Sequence, residues 1–247
     1  MNIAEEVLPY YAELLADIWI LGSAPEHIAK MLKFAVLSLD QPRILDLGCG
    51  KGAVAITLAK ELDAAVDGYD LYQPFLDVAI LKADENDVSD LCTFTLADIR
   101  DVVTKAHDYD IVTLASVGAF GGDLKRTVGN MRQTVREGGY IVIDECFALD
   151  AKKVDFQGYD CISSYDECTR QLTAHGDRLV EETIVPLDDV IAQNEFNNEA
   201  IARRAAELKK RYPDKARVFA DFVQREKDEC DIIETRTGEA IWILQKS

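Results

Sequence analysis

The stretch Ile44-Leu45-Asp46-Leu47-Gly48-Cys49-Gly50-Lys51-Gly52 constrains the fold more than any other part of the chain. Its apolar start reads as a strand, its glycines at 48, 50 and 52 as a turn, and Ala53 to Lys60 as the helix that follows. Glycine lets a backbone take left-handed φ angles and come close to a ligand. The first turn of a helix leaves N–H groups free for a polar or anionic group. Asp46 stands at the strand end, where doubly wound sheets bind their ligands. The same glycines also read as plain turn geometry. The acids around them separate the two readings.

A dinucleotide fold uses G-x-G-x-x-G, with the pyrophosphate at the helix start. Here the order is Asp-x-Gly-x-Gly-x-Gly, with a carboxylate inside the turn. That charge repels a pyrophosphate and suits a cofactor bearing an ammonium group, as S-adenosylmethionine does beside its sulfonium. About 18 residues after Gly52 a second strand, 64–69, ends in Asp70, near the spacing at which an acid meets ribose hydroxyls. A third strand, 92–96, leads into Ala97-Asp98-Ile99. A fourth, 109–114, opens into Ala115-Ser116-Val117-Gly118-Ala119-Phe120. A fifth, 140–143, follows the turn Glu137-Gly138-Gly139 and ends in Asp144-Glu145.

Over residues 40–147 this ordered set resembles the class I S-adenosylmethionine-dependent methyltransferases, small-molecule type, related to those of ubiquinone and menaquinone biosynthesis. The resemblance implies that Asp46, Gly48, Cys49, Gly50 and Gly52 wrap the methionine part of the cofactor. It implies that Asp70, with Leu71 after it, binds the ribose, and that Ala97, Asp98 and Ile99 contact the adenine. Ala115 and Ser116 then follow the fourth strand at the cofactor. Tyr109-Asp110-Ile111-Val112 and Val135 to Tyr140 resemble the family's later landmarks. Lys51 departs from the pattern, since the family has a small polar residue there; it adds a cation near the cofactor amine. The implied fold is α/β, a Rossmann-like seven-stranded mostly parallel sheet with one antiparallel strand and helices on both faces. An N-terminal helical segment and a helical lid insertion complete it.

Other readings stand beside these. Asp98 is also a natural helix cap. Phe75, Leu76 and Ile80 read as core. Asp110 reads as the start of a strand, without chemistry. No Asn-Pro-Pro-Tyr type of motif follows the fourth strand, so the methyl acceptor stays open among carbon, nitrogen, oxygen and sulfur. Phe120 is a candidate for stacking on adenine or substrate. Glu145, with Asp144 beside it, is the leading candidate for a base or a substrate-binding acid, because neighbouring carboxylates raise one another's pKa. His27 is the alternative base if the N-terminal segment folds over the cofactor. His107 lies at the wrong end of its strand, and His175 is a more distant candidate.

With 247 residues, 48% of them hydrophobic, the chain has enough material for one α/β domain with an insertion. A net charge of −18 opposes nucleic acids and anionic membranes as partners and favours a small metabolite. No apolar run reaches spanning length, and the acidic start lacks a secretory pattern, so the expected location is the cytoplasm. Six cysteines at 49, 92, 146, 161, 168 and 230 form no Cys-x-x-Cys, and no metal is expected. Cys161 and Cys168 invite comparison with thiol-dependent arsenite methyltransferases, whose motifs are not evident.

The chain reads as a single domain with three parts: an N-terminal helical cap (1–39), the cofactor core (40–147) and a helical insertion (186–230). Ala4, Val7, Leu8, Tyr11, Leu14, Leu15 and Ile18 recur at helical spacing, then Gly22-Ser23-Ala24-Pro25 breaks the pattern and a helix runs from His27 to Leu39. By resemblance, the Gly22-Ser23 turn approaches the cofactor carboxylate, and Tyr10, Tyr11 and Trp19 line the substrate pocket; ordinary helix packing is the other reading of these aromatics. Tyr165 to His175 reads as a helix, 178–185 and 240–245 as the last two strands, and 193–211 and 214–229 as the helices of a lid. Arg203, Arg204, Lys209, Lys210, Arg211, Lys215 and Arg217 form a basic cluster there, read as a solvated face or as a landing surface for an anionic substrate. The final strand or the lid helices leave a homodimer open. Two rival functions remain, a non-catalytic protein that binds S-adenosylmethionine and a nicotinamide-dependent oxidoreductase.

Overall fold

The structure is a computed structural model, and it describes residues 5–35, 39–150, 154, 156–159 and 162–247. The strands are β1 (Arg43–Leu47), β2 (Ala65–Asp70), β3 (Cys92–Leu96), β4 (Tyr109–Ala115), β5 (Val135–Ala148), β6 (Arg178–Ile184) and β7 (Thr237–Gln245). They form one seven-stranded sheet in the order β3-β2-β1-β4-β5-β7-β6. β1 to β5 are parallel neighbours, and β7 runs antiparallel to β6. The central strands are continuous apolar runs because both their faces are covered. Ile44, Leu45 and Leu47 of β1, Ile111 and Val112 of β4, and Ile141 to Ile143 of β5 are each fully buried. This is the Rossmann-like sheet that the sequence implies.

The helices between the strands are α3 (Ala53–Leu62), α4 (Gln73–Glu85), α5 (Ile99–Val102) and α6 (Leu124–Met131). Before β1 come a short α1 (Tyr11–Leu14) and α2 (Pro25–Ala35); after β5 come α7 (Tyr165–Leu172), α8 (Leu187–Arg211) and α9 (Ala216–Arg236). Several lengths differ from the sequence expectation. The 4–18 periodicity yields only a 3-10 turn at 8–10 and the four residues of α1, with Pro9 sitting in the first and Ala4 lying outside the described residues. α8 and α9 extend beyond the expected bounds, because Leu187 follows Pro186 directly and α9 runs on until β7 begins. β5 does not stop at Asp144 but continues to Ala148. Ile80 is half exposed, while Phe75 and Leu76 beside it are buried as expected of core.

The chain divides into two compact units. One comprises residues 20–145, 165–184 and 239–247 and contains most of the sheet. Its last strand is not an edge, as a dimer through that strand would need: β7 is inserted between β5 and β6, and β6 takes the edge. Asp110, at the start of β4, ties neighbouring strands together, accepting the Arg43 N–H at 2.7 Å and Arg136 Nε at 2.5 Å.

The other unit comprises residues 1–19, 146–164 and 185–238. α8 and α9 form a hairpin, in which Asn194 donates to Glu234 at 3.0 Å and Asn198 to Cys230 Sγ at 3.2 Å. Tyr10 packs edge-on to Phe219 and tilted on Tyr212, and Tyr11 packs edge-on to Phe222. Arg203 and Arg204 both bind Asp17, and Arg211 binds Glu13. Three arginines of the basic cluster thus hold the N-terminal segment to α8. The Arg204 guanidinium and, after it, Arg203 keep the Asp17 carboxyl below the usual carboxylate range, so this tie is present above about pH 4 and is lost as pH falls through the lowered value. Asp17→Ala is expected to cost about 1–2 kcal/mol of stability and to speed proteolysis within residues 5–20. A cleavage rate equal to wild type at pH 7.5 counts against this role.

Candidate cofactor site

The site is built where β1 to β4 end on one edge of the sheet. Register aligns them: Leu47 pairs with Tyr69, Asp70 with Leu96, and Ala115 with Asp144 of β5. All twelve cofactor positions expected from the sequence lie on the loops and strand ends of this edge, in the order 46–52, 70–71, 97–99 and 115–116.

Asp46 is buried, and its Oδ1 accepts the Thr113 hydroxyl at 2.6 Å. Its Oδ2 is also buried and has no hydrogen-bond donor. Burial, and to a smaller degree the charge of Asp70, push the carboxyl up to about 6 against the opposing Thr113 hydroxyl and the Ala55 N–H, which acts on the carboxylate without closing a full hydrogen bond to Oδ2. An unpaired buried carboxylate oxygen is costly, and a cationic group or a water donor would satisfy it. Above it the turn runs in left-handed conformation, with φ of 74° at Gly48. A Cβ there would stand 2.6 Å from Val117 Cγ2, so only glycine fits the approach of this turn to the loop after β4. Gly52 caps α3, also left-handed.

Asp70 secures the turn. Its Oδ2 accepts the Gly50 N–H and its Oδ1 the Tyr72 N–H, each at 2.9 Å. The Gly48 and Cys49 N–H groups bond to Tyr69 O at 2.8 and 3.0 Å. The Cys49 thiol is buried and lies against Gly68, where a Cβ would meet Sγ at 3.0 Å; burial raises its pKa far out of the reactive range. Lys51 is 2% exposed and holds its ammonium 5.2 Å from the centre of the Phe75 ring on α4. Leu71 and Leu96 are exposed apolar side chains beside Asp70, while Ile99 is nearly buried. Asp98 is the N-cap of α5, accepting the Arg100 N–H at 2.9 Å and also the Arg100 guanidinium, which holds its carboxyl below the usual range. Ala97 N–H donates to Asp70 O at 3.0 Å.

Ser116 has φ of 53°, uncommon without glycine. Two hydrogen bonds hold it there: its N–H donates to Asp144 O at 2.8 Å, and its hydroxyl to Gly22 O at 2.7 Å. The Gly22-Ser23 turn lies beside the end of β4. Leu21, preceding it, comes within 3.1 Å of a Cβ built on Gly50.

The two base candidates lie on neighbouring pieces of the same unit, Glu145 half-buried on β5 and His27 half-buried in the first turn of α2. Asp144 is fully buried, and its Oδ2 accepts the Ala24 N–H at 3.0 Å. Burial raises it to about 6, and its carboxyl partner is Glu239 on β7 rather than Glu145. Glu239 is the residue that sequence reasoning missed. The only local signal was its place after Gly238, at the beginning of the last strand. His107 sits on the opposite end of β4, exposed and paired with Asp108, and His175 bonds to Lys125 O. Phe120 is buried, with its carbonyl held by Thr127. Cys161 lies outside the described residues, so the pair with Cys168 has no geometry. Among the described residues no cluster of His, Cys, Asp and Glu is arranged for a metal ion, and no helix is long and apolar enough to cross a membrane.

Residues 44–139 match the family model described as a methyltransferase domain. Among solved structures, an S-adenosylmethionine-dependent methyltransferase from Geobacter sulfurreducens, in complex with S-adenosylhomocysteine, superposes with a TM-score of 0.81 at 19% identity, covering 100% of both chains. A release factor glutamine methyltransferase of Chlorobaculum tepidum is 38% identical over 104 residues, 39% of this chain and 35% of that protein. A ubiquinone biosynthesis O-methyltransferase of Neisseria meningitidis is 35% identical over 72 residues, 29% of this chain and 30% of that protein. The chain spans about a third or less of the length of the curated relatives it matches. Residues 44–139 thus resemble a methyltransferase domain, and the chain as a whole has the seven-stranded fold of the Geobacter sulfurreducens S-adenosylmethionine-dependent methyltransferase.

Proposed function

We propose that this chain binds S-adenosylmethionine and transfers its methyl group to a small-molecule acceptor. The observation that carries the reading is Asp46, a buried acid with one oxygen lacking a donor beneath a glycine turn that admits no side chain at 48. That arrangement fits an ammonium-bearing ligand and disfavours the pyrophosphate of a nicotinamide dinucleotide. When bound, the cofactor supplies a methyl group on a positively charged sulfur, already activated for displacement.

The chain's own residues then bind and orient. Asp46 offers negative charge to the ammonium, and the backbone of Gly48, Cys49, Gly50 and Gly52 flanks the methionine part. Asp70 retains lone pairs for ribose hydroxyls while its two amide bonds fix the loop. Leu71, Ala97 and Ile99 offer apolar surface to the adenine, and Asp98 keeps the start of α5 in place beside them. Ala115 and the hydrogen-bonded Ser116 present a small-residue strand end to the reacting groups. Positioning the acceptor accounts for most of the work, with Glu145, or else His27, removing a proton where the acceptor requires it. The net charge of −18 supports a metabolite rather than a nucleic acid as acceptor, and the cysteine-bearing, acidic composition supports work in the cytoplasm.

Calorimetric titration with S-adenosylmethionine, S-adenosylhomocysteine and NADH in parallel tests the reading. Micromolar binding of the two sulfur compounds and none of NADH is expected; no binding of either sulfur compound ends it. Methyl transfer to fractionated metabolites then separates an enzyme from a non-catalytic binder. For Glu145→Gln we expect S-adenosylhomocysteine affinity within threefold of wild type and turnover reduced by about 100-fold, in the range for a general base. Full turnover assigns Glu145 no part in the chemistry.

A further inference from the structure

Asp144 stands at a junction. Its carbonyl accepts the Ser116 N–H, its Oδ2 accepts the Ala24 N–H, and the Ser116 hydroxyl donates to Gly22 O, which closes a ring around the 22–24 turn. Ala24 also begins α2, since its carbonyl accepts the Ile28 N–H at 3.0 Å. The Asp144 carboxylate therefore sits at a helix N-terminus, where negative charge is favoured. Its Oδ1 is buried with no N–H or hydroxyl partner, and the Glu239 carboxyl on the adjacent strand lies within hydrogen-bonding reach of Asp144. Two carboxyl groups can hydrogen-bond only if one of them carries a proton.

We propose that Glu239 carries that proton and donates it to Asp144, and that the resulting pair is a positioning device holding the Gly22–Ala24 turn against the strand ends of the cofactor site. The assignment of the proton follows from placement. Asp144 has the helix start and the Ala24 N–H to stabilise its charge, whereas the charged groups acting on Glu239 are Asp144 itself and Glu145, both acidic. Desolvation first, then these two acids, push Glu239 up to about 9. The histidine on the neighbouring helix is His27, one turn beyond Ala24. Through Leu21, which lies against Gly50, the tethered turn adjoins the glycine loop. This last role rests on the proposed cofactor function; the shared proton does not.

Above about pH 9 the Glu239 proton is lost, two buried carboxylates face each other, and the turn loses its anchor. Glu239→Gln keeps a donor to Asp144 and removes the titration. Infrared spectra of the ligand-free protein at pH 7.5 read the proton directly. A neutral carboxylic-acid C=O band is expected in wild type, absent in Glu239→Gln and shifted in frequency in Asp144→Ala, where the proton loses its acceptor, with Glu226→Gln recorded to identify the band of Glu226, itself pushed by burial to about 7. Wild-type and Glu239→Gln spectra without a difference in this band overturn the shared proton.

S-adenosylhomocysteine affinity measured from pH 7 to 10 reads the positioning. The ligand's own ammonium titrates equally in every variant, so the ratio between variants isolates the pair. We expect wild type and Glu239→Gln to agree within threefold at pH 7 and to separate by tenfold or more at pH 10, with Glu239→Gln tighter. Asp144→Ala is expected to bind at least tenfold more weakly throughout. A flat ratio overturns the positioning role. A wild type that binds no S-adenosylhomocysteine at any pH overturns the functional reading and the positioning role with it, while the infrared band still decides the proton.

Discussion

Asp70→Ala is expected to weaken S-adenosylhomocysteine binding by about 100- to 1000-fold while leaving the protein folded. One carboxylate does two jobs here. Its oxygens accept the Gly50 and Tyr72 amides at 2.9 Å, which pins the glycine turn to the end of β2, and its remaining lone pairs are the proposed acceptors for ribose. Hydrogen bonds to a charged group contribute roughly 1.5–3 kcal/mol each, so losing the ribose contacts together with the loop anchor amounts to about 3–4 kcal/mol of binding. The fold survives because Gly48 and Cys49 still bond to Tyr69 O, and the β1–β2 ladder is untouched. Asp70→Asn should fall between the two, since its single carbonyl oxygen can replace only one of the amide contacts. Calorimetry on the three proteins checks the order. An Asp70→Ala protein that binds within threefold of wild type removes Asp70 from the site.

The residues around Asp70 also show why this much was legible in the chain. Strand, glycine turn and helix at 44–60 lie close together in sequence, and each strand end carries its candidate residue at the next position or two. Parallel neighbours in register then bring 46–52, 70–71, 97–99 and 115–116 to one edge without further information. Local capping chemistry was likewise readable, as at Asp98. What was not readable depends on contacts between distant segments. Glu239 becomes the partner of Asp144 only because β7 is inserted next to β5. Alternation in a strand sends neighbours to opposite faces, so two acids in a row seldom pair. The arginines of α8 meet Asp17 and Glu13 across more than 180 residues of chain, and no helical charge pattern reveals such partners.

Asp46→Asn should separate stability from binding. In the wild-type protein without ligand, burial raises this carboxyl from 3.8 to about 6, so the fold favours its neutral form. The native state then holds more protons than the unfolded chain between about pH 4 and 6, and stability falls as pH rises through that window. Above pH 6 the full cost remains, about 3 kcal/mol for a displacement of this size. Asparagine keeps an oxygen for the Thr113 hydroxyl and carries no charge to desolvate. Asp46→Asn should therefore melt higher than wild type at pH 7.5, by several degrees, and converge with it near pH 4. Asp144 titrates over the same range in both proteins and cancels from the difference. With S-adenosylhomocysteine present the order should reverse, because the ligand ammonium compensates the Asp46 charge and meets only an amide in the variant. We expect binding to weaken by about 10- to 100-fold, the loss of one charge-assisted contact. Scanning calorimetry from pH 4 to 8, with and without ligand, measures both effects. Equal melting temperatures at pH 7.5 combined with equal affinities would leave Asp46 as a satisfied structural acid and take away the observation on which the cofactor assignment rests.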